Sequence, residues 1–304
     1  MGSRVVKYIV YFVAFFVCYA VFLYWVFPYD ALKDRILSSM ERQLGGGLSV
    51  SAKSLAPYWF TGVDVEGLSI EGAGAQGAAE LVQIKSARAR ASLISLLIGR
   101  PNINFTLKMG KGEISGSASM GEDAVSLDVG LDNVDLSSFP FIAAGTGLKM
   151  SSKINGQVEL QIDRQQPVRS TGGVTLRLDS LKIAGAEIKL GEMPLTIPDL
   201  DIAKGRESQI KITLAKGVAT VENFKFANGD LALDVKGKIF LSNKVDNYRF
   251  NLNGAFAVTQ KLGEALPFLF IVDSQKQEDG SYPIAITGRL AKPSVKIGTF
   301  TLPL

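Results

Sequence analysis

Apolar and polar residues alternate along most of the chain after Gly47. In residues 230–241 the apolar positions fall on one face of an extended chain, and residues 248–258 repeat the pattern. A period of two with one polar face is typical of antiparallel strands that are covered on one side. The alternation therefore predicts a mainly β protein built on a long antiparallel sheet. The positions that carry the prediction most clearly are Leu231, Leu233, Val235, Ile239, Leu241, Phe250, Leu252 and Phe256.

The same alternation recurs in other segments, and the chain ends on it. The last part of the chain has two alternating stretches, and a Gly-x-Leu-x-x-Pro break, Gly288 to Pro293, separates them. Gly and Pro at such a break favour a turn between two strands. The earlier segments of this kind are 103–109, 125–131, 154–162, 174–178 and 210–214.

Three short apolar segments interrupt the strands. Residues 92–99, 135–145 and 259–272 each predict a short helix that could cap the ends or one face of the sheet. No Pro-rich or Ser-rich linker divides residues 48–304, so we expect one β-rich domain over this range.

The amino-terminal part of the chain predicts a membrane anchor. Residues 8–27 contain no charged side chain, and 20 residues form a helix of about 30 Å, which matches the hydrocarbon thickness of a bilayer. Aromatic residues cluster at the far end of this segment, and no small-residue cleavage site follows it. We therefore expect an uncleaved transmembrane helix after a short cytoplasmic tail, residues 1–7, although the charges on its two sides fix the orientation only weakly.

The segment that follows, residues 28–47, predicts a juxtamembrane helix. Leu32, Ile36, Leu37, Met40 and Leu44 recur at helical spacing, and three glycines end the pattern. An apolar stripe of this kind most often packs within its own fold, and binding of a partner protein is the less favoured alternative.

Composition removes most catalytic chemistry. The chain has no histidine, which excludes histidine bases, histidine triads and histidine metal ligands, and its only cysteine lies in the predicted span. No carboxylate pair stands out, and no residue is a candidate for a serine nucleophile's base. We therefore expect no enzymatic activity, no catalytic or metal-binding residue and no cofactor. The net charge of +4 comes without a run of basic residues, so we expect no nucleic-acid partner.

One segment matches a nucleotide-binding fingerprint in letters only. Gly72, Gly74 and Gly77 have the dinucleotide spacing. The residues that follow alternate instead of forming a crossover helix, and no acidic residue stands about 20 positions further on. A glycine- and alanine-rich hairpin loop is the favoured interpretation.

The order of these features carries a family resemblance. The anchor, the helix in "FPYDALKDRILSSMERQLGGGLSV", the segments "VDLSSFPFIAAGTGLKMSSKINGQVEL" and "MPLTIPDLDI", and the tail from Asp279 to Pro293 together resemble the type II secretion system protein N (GspN) family. The recurring strand-turn-strand pattern is also similar to that of AsmA-type proteins, in which strands build a long curved sheet on an inner-membrane anchor.

The resemblance implies a location and a role. The protein would be a single-pass protein of the bacterial inner membrane, with a cytoplasmic amino terminus and a periplasmic domain. It would act as a structural or assembly component of the type II protein secretion system, with other secretion subunits as partners. The AsmA likeness implies an alternative, a lipid-binding or lipid-transfer protein of the envelope. In either case the apolar face of residues 231–256 is a candidate groove or partner-contact surface. The favoured interpretation is that the short helices and the curling of the sheet cover most of this face and leave a narrow groove; a fully open face is the alternative.

Overall fold

The computed structural model describes residues 11, 15, 29–44, 48–59, 61–74, 77–140, 142–143, 148–190, 193–242, 244–265 and 267–302. The predicted tail and, apart from Tyr11 and Phe15, the predicted transmembrane helix lie outside these residues. Within the described ranges, no helix combines the length and the apolar character that crossing a membrane requires.

Helices are few and short. Helix α1 spans Tyr29–Leu44, which confirms the helix predicted before the triple glycine. Helix α2 spans Leu93–Leu97 and helix α3 spans Gln260–Ala265. Short 3₁₀ helices are formed by Leu136–Ser138, Pro167–Arg169, Val245–Asn247 and Pro267–Gln275. The three predicted helical segments between strands are therefore confirmed in position, although 135–145 and 259–272 are each partly 3₁₀.

Strands make up most of the fold, as the alternation predicts. The first half of the chain forms β1 (Ser49–Ser51), β2 (Ser54–Tyr58), β3 (Gly62–Gly74), β4 (Gly77–Ala91), β5 (Asn102–Met109), β6 (Gly112–Met120), β7 (Ala124–Val134), β8 (Met150–Asp163) and β9 (Thr171–Ile183). The second half forms β10 (Ala186–Leu190), β11 (Met193–Ile197), β12 (Leu200–Lys204), β13 (Gln209–Ala215), β14 (Val218–Phe226), β15 (Leu231–Phe240), β16 (Arg249–Val258), β17 (Tyr282–Arg289), β18 (Lys292–Ile297) and β19 (Phe300–Leu302).

Seventeen of these strands form one antiparallel sheet, and β10 and β11 form a separate hairpin. From β3 to β9 and from β13 to β19 each strand pairs with the next one along the chain. The two series join at β9, which pairs with β13 along one half and with β12 along the other. In the same way β2 and β1 pair end to end with β3. The result is a single long meander, and the fold class predicted from sequence is confirmed at this level.

Two local predictions meet different outcomes. Gly74 pairs with Gly77 in the β3–β4 hairpin, which confirms the hairpin interpretation of the glycine fingerprint. At the end of the chain, strands β17 and β18 also form a hairpin. Here the predicted break is too wide, because Pro293 pairs with Gly288 inside the hairpin. Leu290, which alternation assigns to the apolar face, lies in the turn and is exposed.

Glycines on the apolar face mark places where paired strands come unusually close. At Gly116, a side chain would overlap the carbonyl oxygen of Asp128 on the next strand. At Gly254, it would overlap the carbonyl oxygen of Asp234. Gly156, Gly172 and Gly237 stand in the same relation to their neighbours. Glycine inside a strand is typical of close backbone approach, and at these positions it leaves room for the backbone of the next strand.

The two ends of the strands differ in how they are covered. We call the open end the one that carries the β2–β3, β4–β5, β6–β7, β8–β9, β13–β14, β15–β16 and β17–β18 connections, and the closed end the opposite one. Three core clusters lie toward the closed end. Helix α1 contributes Leu37 and Met40 to the first cluster, around Leu68, Ile84 and Met109. The helix therefore packs on its own sheet, which is the interpretation that the sequence favoured.

The other two clusters use the predicted helical segments after β16. Leu262 of α3 packs among Leu178, Leu181, Leu200 and Ile202 in the central cluster. Leu269 and Val272 of the following 3₁₀ helix pack on Tyr282 and Ile297 in the carboxyl-terminal cluster. Burying aliphatic side chains in this way stabilises the closed end by roughly 1.5–3 kcal/mol for each large side chain.

Candidate functional site

The eight candidate residues lie side by side on one face of β15 and β16. Leu233 pairs with Phe256, and Ile239 pairs with Phe250. Leu241 lies just beyond β15 and is half-buried. The strand register thus brings together every residue that the alternation selected: Leu231, Leu233, Val235, Ile239, Leu241, Phe250, Leu252 and Phe256.

Coverage divides this set along the strands. Leu231 and Phe256, toward the closed end, pack against the central and carboxyl-terminal clusters. Val235 is 6% exposed. Ile239, Phe250 and Leu252 lie toward the open end, are half-buried and belong to none of the three clusters. The predicted alternatives of closed core and open groove therefore apply to different halves of the same face.

The uncovered half continues across the neighbouring strands. Register places aliphatic side chains in a row from β5 to β17 on the apolar face, for example Val158 opposite Val174 and Val174 opposite Ile212. These side chains are half-buried and lie outside the three clusters. We call this surface the trough, formed by Phe105, Leu127, Val129, Val158, Leu160, Val174, Ile212, Leu214, Ile239, Phe250, Leu252 and Ile286.

A groove at the open end of β15–β17 adjoins the trough. It has a volume of about 880 Å³ and is lined by Leu241 and Phe250 and by two arginines, Arg249 and Arg289. The arginines are directly paired on adjacent strands, and their side chains are exposed. Like charges opposite each other repel, so an anion between them would lower the electrostatic free energy. The groove therefore combines apolar surface with a pair of cations.

The polar face carries ion pairs typical of a solvated surface. Lys211 Nζ lies 2.6 Å from Glu222 Oε2, and this lysine, followed by the Thr213 hydroxyl, lowers the pKa of the Glu222 carboxyl. Lys204 Nζ lies 2.8 Å from Asp201 Oδ2 and is the main reason that the pKa of Asp201 is lowered. Exposed pairs of this kind contribute little to stability. Both carboxylates stay ionised at neutral pH, which is the wrong state for a general acid.

Over the residues that the structure covers, no group of three or more Asp, Glu and Cys side chains could hold a metal ion.

The structure also exposes a surface that the alternation did not identify. Helix α2 and the β2–β3 turn lie next to each other at the open end, since Ala91 N donates to the Thr61 carbonyl oxygen. Leu97 is 87% exposed and Trp59 is 61% exposed. The sequence leaves open whether this helix caps the ends or one face of the sheet; it lies at the strand ends between β4 and β5, and none of its residues is buried. The sequence signal for this surface is the shortness of the apolar segment, because a helix of only five residues is too short to bury one face and expose the other.

Comparison with known proteins adds no functional assignment. No protein-family model, curated protein or solved structure matches this chain.

Proposed function

We propose that this protein is an inner-membrane-anchored, periplasmic component of the type II secretion system, and that its sheet serves there as a trough for apolar chains. The secretion assignment rests on the sequence resemblance described above. The binding role rests on one structural observation, the half-buried apolar part of the sheet that lies outside the three core clusters.

The size of the uncovered surface supports binding. Soluble proteins rarely expose a contiguous apolar patch larger than a few hundred Å². The trough runs across ten neighbouring strands, from β5 to β9 and from β13 to β17, which lie about 4.8 Å apart in a sheet. A surface of this extent is stabilised when an apolar guest covers it.

The chemistry of the trough favours acyl chains as the guest. Its floor presents aliphatic and aromatic side chains, while the neighbouring polar side chains point to the other face. An acyl chain needs no hydrogen bonds and would lose nothing on entering such a surface, whereas a peptide would carry unsatisfied backbone groups. Arg249 and Arg289 alternate with Phe250 and Gly288 and so lie on the polar face, but they line the same groove at the strand ends, where a phosphate headgroup would meet them.

The test compares two neighbouring positions on β16. Leu252→Asp places a carboxylate in the trough, and Asn253→Asp places the same carboxylate on the polar face. The full-length protein is purified in mild detergent, and co-purifying lipids and proteins are identified by mass spectrometry. We expect lipid with the parent protein and with Asn253→Asp, and loss of lipid with Leu252→Asp while the melting temperature stays close to that of the parent.

A closed core would give a different result. Burying an unpaired carboxylate in a packed interior costs several kcal/mol and would unfold a marginally stable domain. Unfolding of Leu252→Asp, or lipid retention by it, would therefore contradict the trough.

The same purification separates the two roles implied by resemblance. Secretion subunits among the co-purifying proteins would support a component of that machine. Lipid without any secretion subunit would support the alternative, an envelope lipid-transfer protein.

A further inference from the structure

The largest exposed apolar side chains at the open end form a separate patch, away from the trough. Helix α2 and the residue after it present Leu93, Ile94, Leu96, Leu97 and Ile98 to solvent, and Ile94 is 71% exposed. Trp59 extends from the adjacent β2–β3 turn. We call these six residues the docking tip. An apolar patch of this density on a soluble surface marks an interaction site.

The backbone of the tip is held in an uncommon conformation. Trp59 has a positive φ of 55°, which bulky residues rarely adopt. The Arg90 guanidinium carbon lies 5.2 Å from the centre of the Trp59 ring, and the Thr61 hydroxyl donates to the Ala91 carbonyl oxygen at 2.6 Å. Strain of this kind persists where the surrounding structure fixes it, and here it fixes an exposed indole.

Charge around the tip is mainly positive. Residues 81–112 contain six Lys and Arg side chains and no Asp or Glu. Arg88 is neutralised by Asp64, at 2.7 Å, whereas Arg90 and Arg100 flank the apolar helix. Glu122 and Asp123 share a hollow with Arg100 on the side of the β6–β7 turn, and Glu113 shares another with Arg90 and Lys108. Tryptophan, aliphatic side chains and arginines together are the composition of an interfacial membrane-binding surface.

The direction of α1 points to the same end. Glu41, near its carboxyl end, accepts a hydrogen bond from Val50 N of β1 at 2.8 Å. The helix also packs on β2, which runs on from β1 toward the tip. Its amino end is therefore directed toward the open end, and the predicted transmembrane segment, 8–27, directly precedes it.

From these observations we propose that the docking tip inserts into the surface of an anionic lipid bilayer, with Trp59 and Leu97 at the level of the headgroups. The bilayer is the one that the predicted anchor enters. This contact orients the sheet on the membrane and does not depend on what the trough binds, because the two surfaces share no residue.

The test follows the fluorescence of Trp59 alone. The chain has two tryptophans, and Trp25→Phe removes the other. The full-length protein is placed in nanodiscs of phosphatidylethanolamine and phosphatidylglycerol with brominated acyl chains. We expect strong quenching of Trp59, and weaker quenching in phosphatidylcholine discs brominated to the same degree. Arg100→Gln should lower the docking equilibrium about fivefold, as expected for one basic residue near an anionic surface.

The same substitution at two exposed apolar residues, one in the tip and one far from it, separates the effect of the tip from the effect of adding a carboxylate. Leu97→Asp should abolish the quenching, while Phe270→Asp at the closed end, where Phe270 is 86% exposed, should leave it unchanged. Equal quenching in Leu97→Asp and the parent would overturn the proposal, as would absence of quenching in the parent.

Discussion

At the scale of single residues, Tyr282 shows how one buried polar atom couples stability to pH. Its side chain is 4% exposed, and its ring stacks on Phe256 with the ring centres 5.3 Å apart. The hydroxyl donates to Asp273 Oδ1 at 3.1 Å. Burial, and then the Asp273 carboxylate, raise the pKa of Tyr282 above its ordinary value of 10.0.

The sign of the resulting pH dependence follows from linkage. Below pH 10 the phenol is protonated in both the folded and unfolded states, so its full contribution to stability is present. Above pH 10 the unfolded chain ionises first, and stability is lost as the pH rises toward the folded pKa.

Tyr282→Phe removes this dependence. At pH 9 we expect the variant to be less stable than the parent by about 1 kcal/mol, the usual contribution of one hydrogen bond. The gap should narrow by pH 11, because only the parent loses stability through this group. Urea unfolding at both pH values measures it, and a gap of constant size would show that Tyr282 does not titrate differently on unfolding.

At the scale of strands, some glycines lie where the backbone of the next strand leaves no room for a side chain. Gly116 and Gly130 lie on paired strands, but only Gly116 faces a carbonyl oxygen that a side chain would overlap. Gly116→Ala should therefore destabilise the protein by about 1–3 kcal/mol, as overpacking does. In Gly130→Ala the added carbon would lie 3.7 Å from its nearest neighbour, the Ser115 carbonyl oxygen, so its stability should stay close to that of the parent. Similar melting temperatures for the two variants would show that the sheet does not depend on close approach at Gly116.

Sequence reasoning predicts strands well where one face is covered. In β15 the burial pattern alternates as the apolar positions do, because each residue's face decides whether water reaches it. It predicts turns less well. Proline usually indicates a break in a strand because it has no backbone N–H, but Pro293 lies inside the β17–β18 hairpin at a position where no N–H is needed. The β10–β11 hairpin has no comparable signal, since Pro194 stands within β11.

The candidate apolar face is predictable only in part, because alternation shows which face a residue is on but not what covers that face. Alternation places Leu252 and Phe256 on one face, but it cannot tell that the carboxyl-terminal cluster covers only Phe256. Coverage depends on where the segments after β16, which carry Leu262 and Leu269, pack against the sheet. The alternation within a strand carries no information about that. The docking tip was not predicted, because a short apolar segment is interpreted as buried from its sequence whether or not other side chains cover it in the structure.

At the scale of the whole molecule, contacts are mostly local along the chain. Each strand from β3 to β9 and from β13 to β19 pairs with its sequence neighbours, and the core is divided into three clusters. The central and carboxyl-terminal clusters share Val258, whereas the first cluster lies at the opposite end of the sheet. An architecture of this kind resembles a repeat protein, in which stability is a sum of neighbouring units and parts can open separately.

Hydrogen exchange of the full-length protein measures this separation. Met109→Ala opens a cavity in the first cluster, where Met109 is 2% exposed, and should destabilise that end by about 2–5 kcal/mol. We expect faster exchange in β3–β6 and unchanged exchange in β16–β18, because no cluster joins the two regions directly. Ile297→Ala, at an equally buried position of the carboxyl-terminal cluster, should give the mirror result. If either variant accelerated exchange evenly from β3 to β18, the sheet would unfold as one cooperative unit, and the three clusters would be parts of a single core.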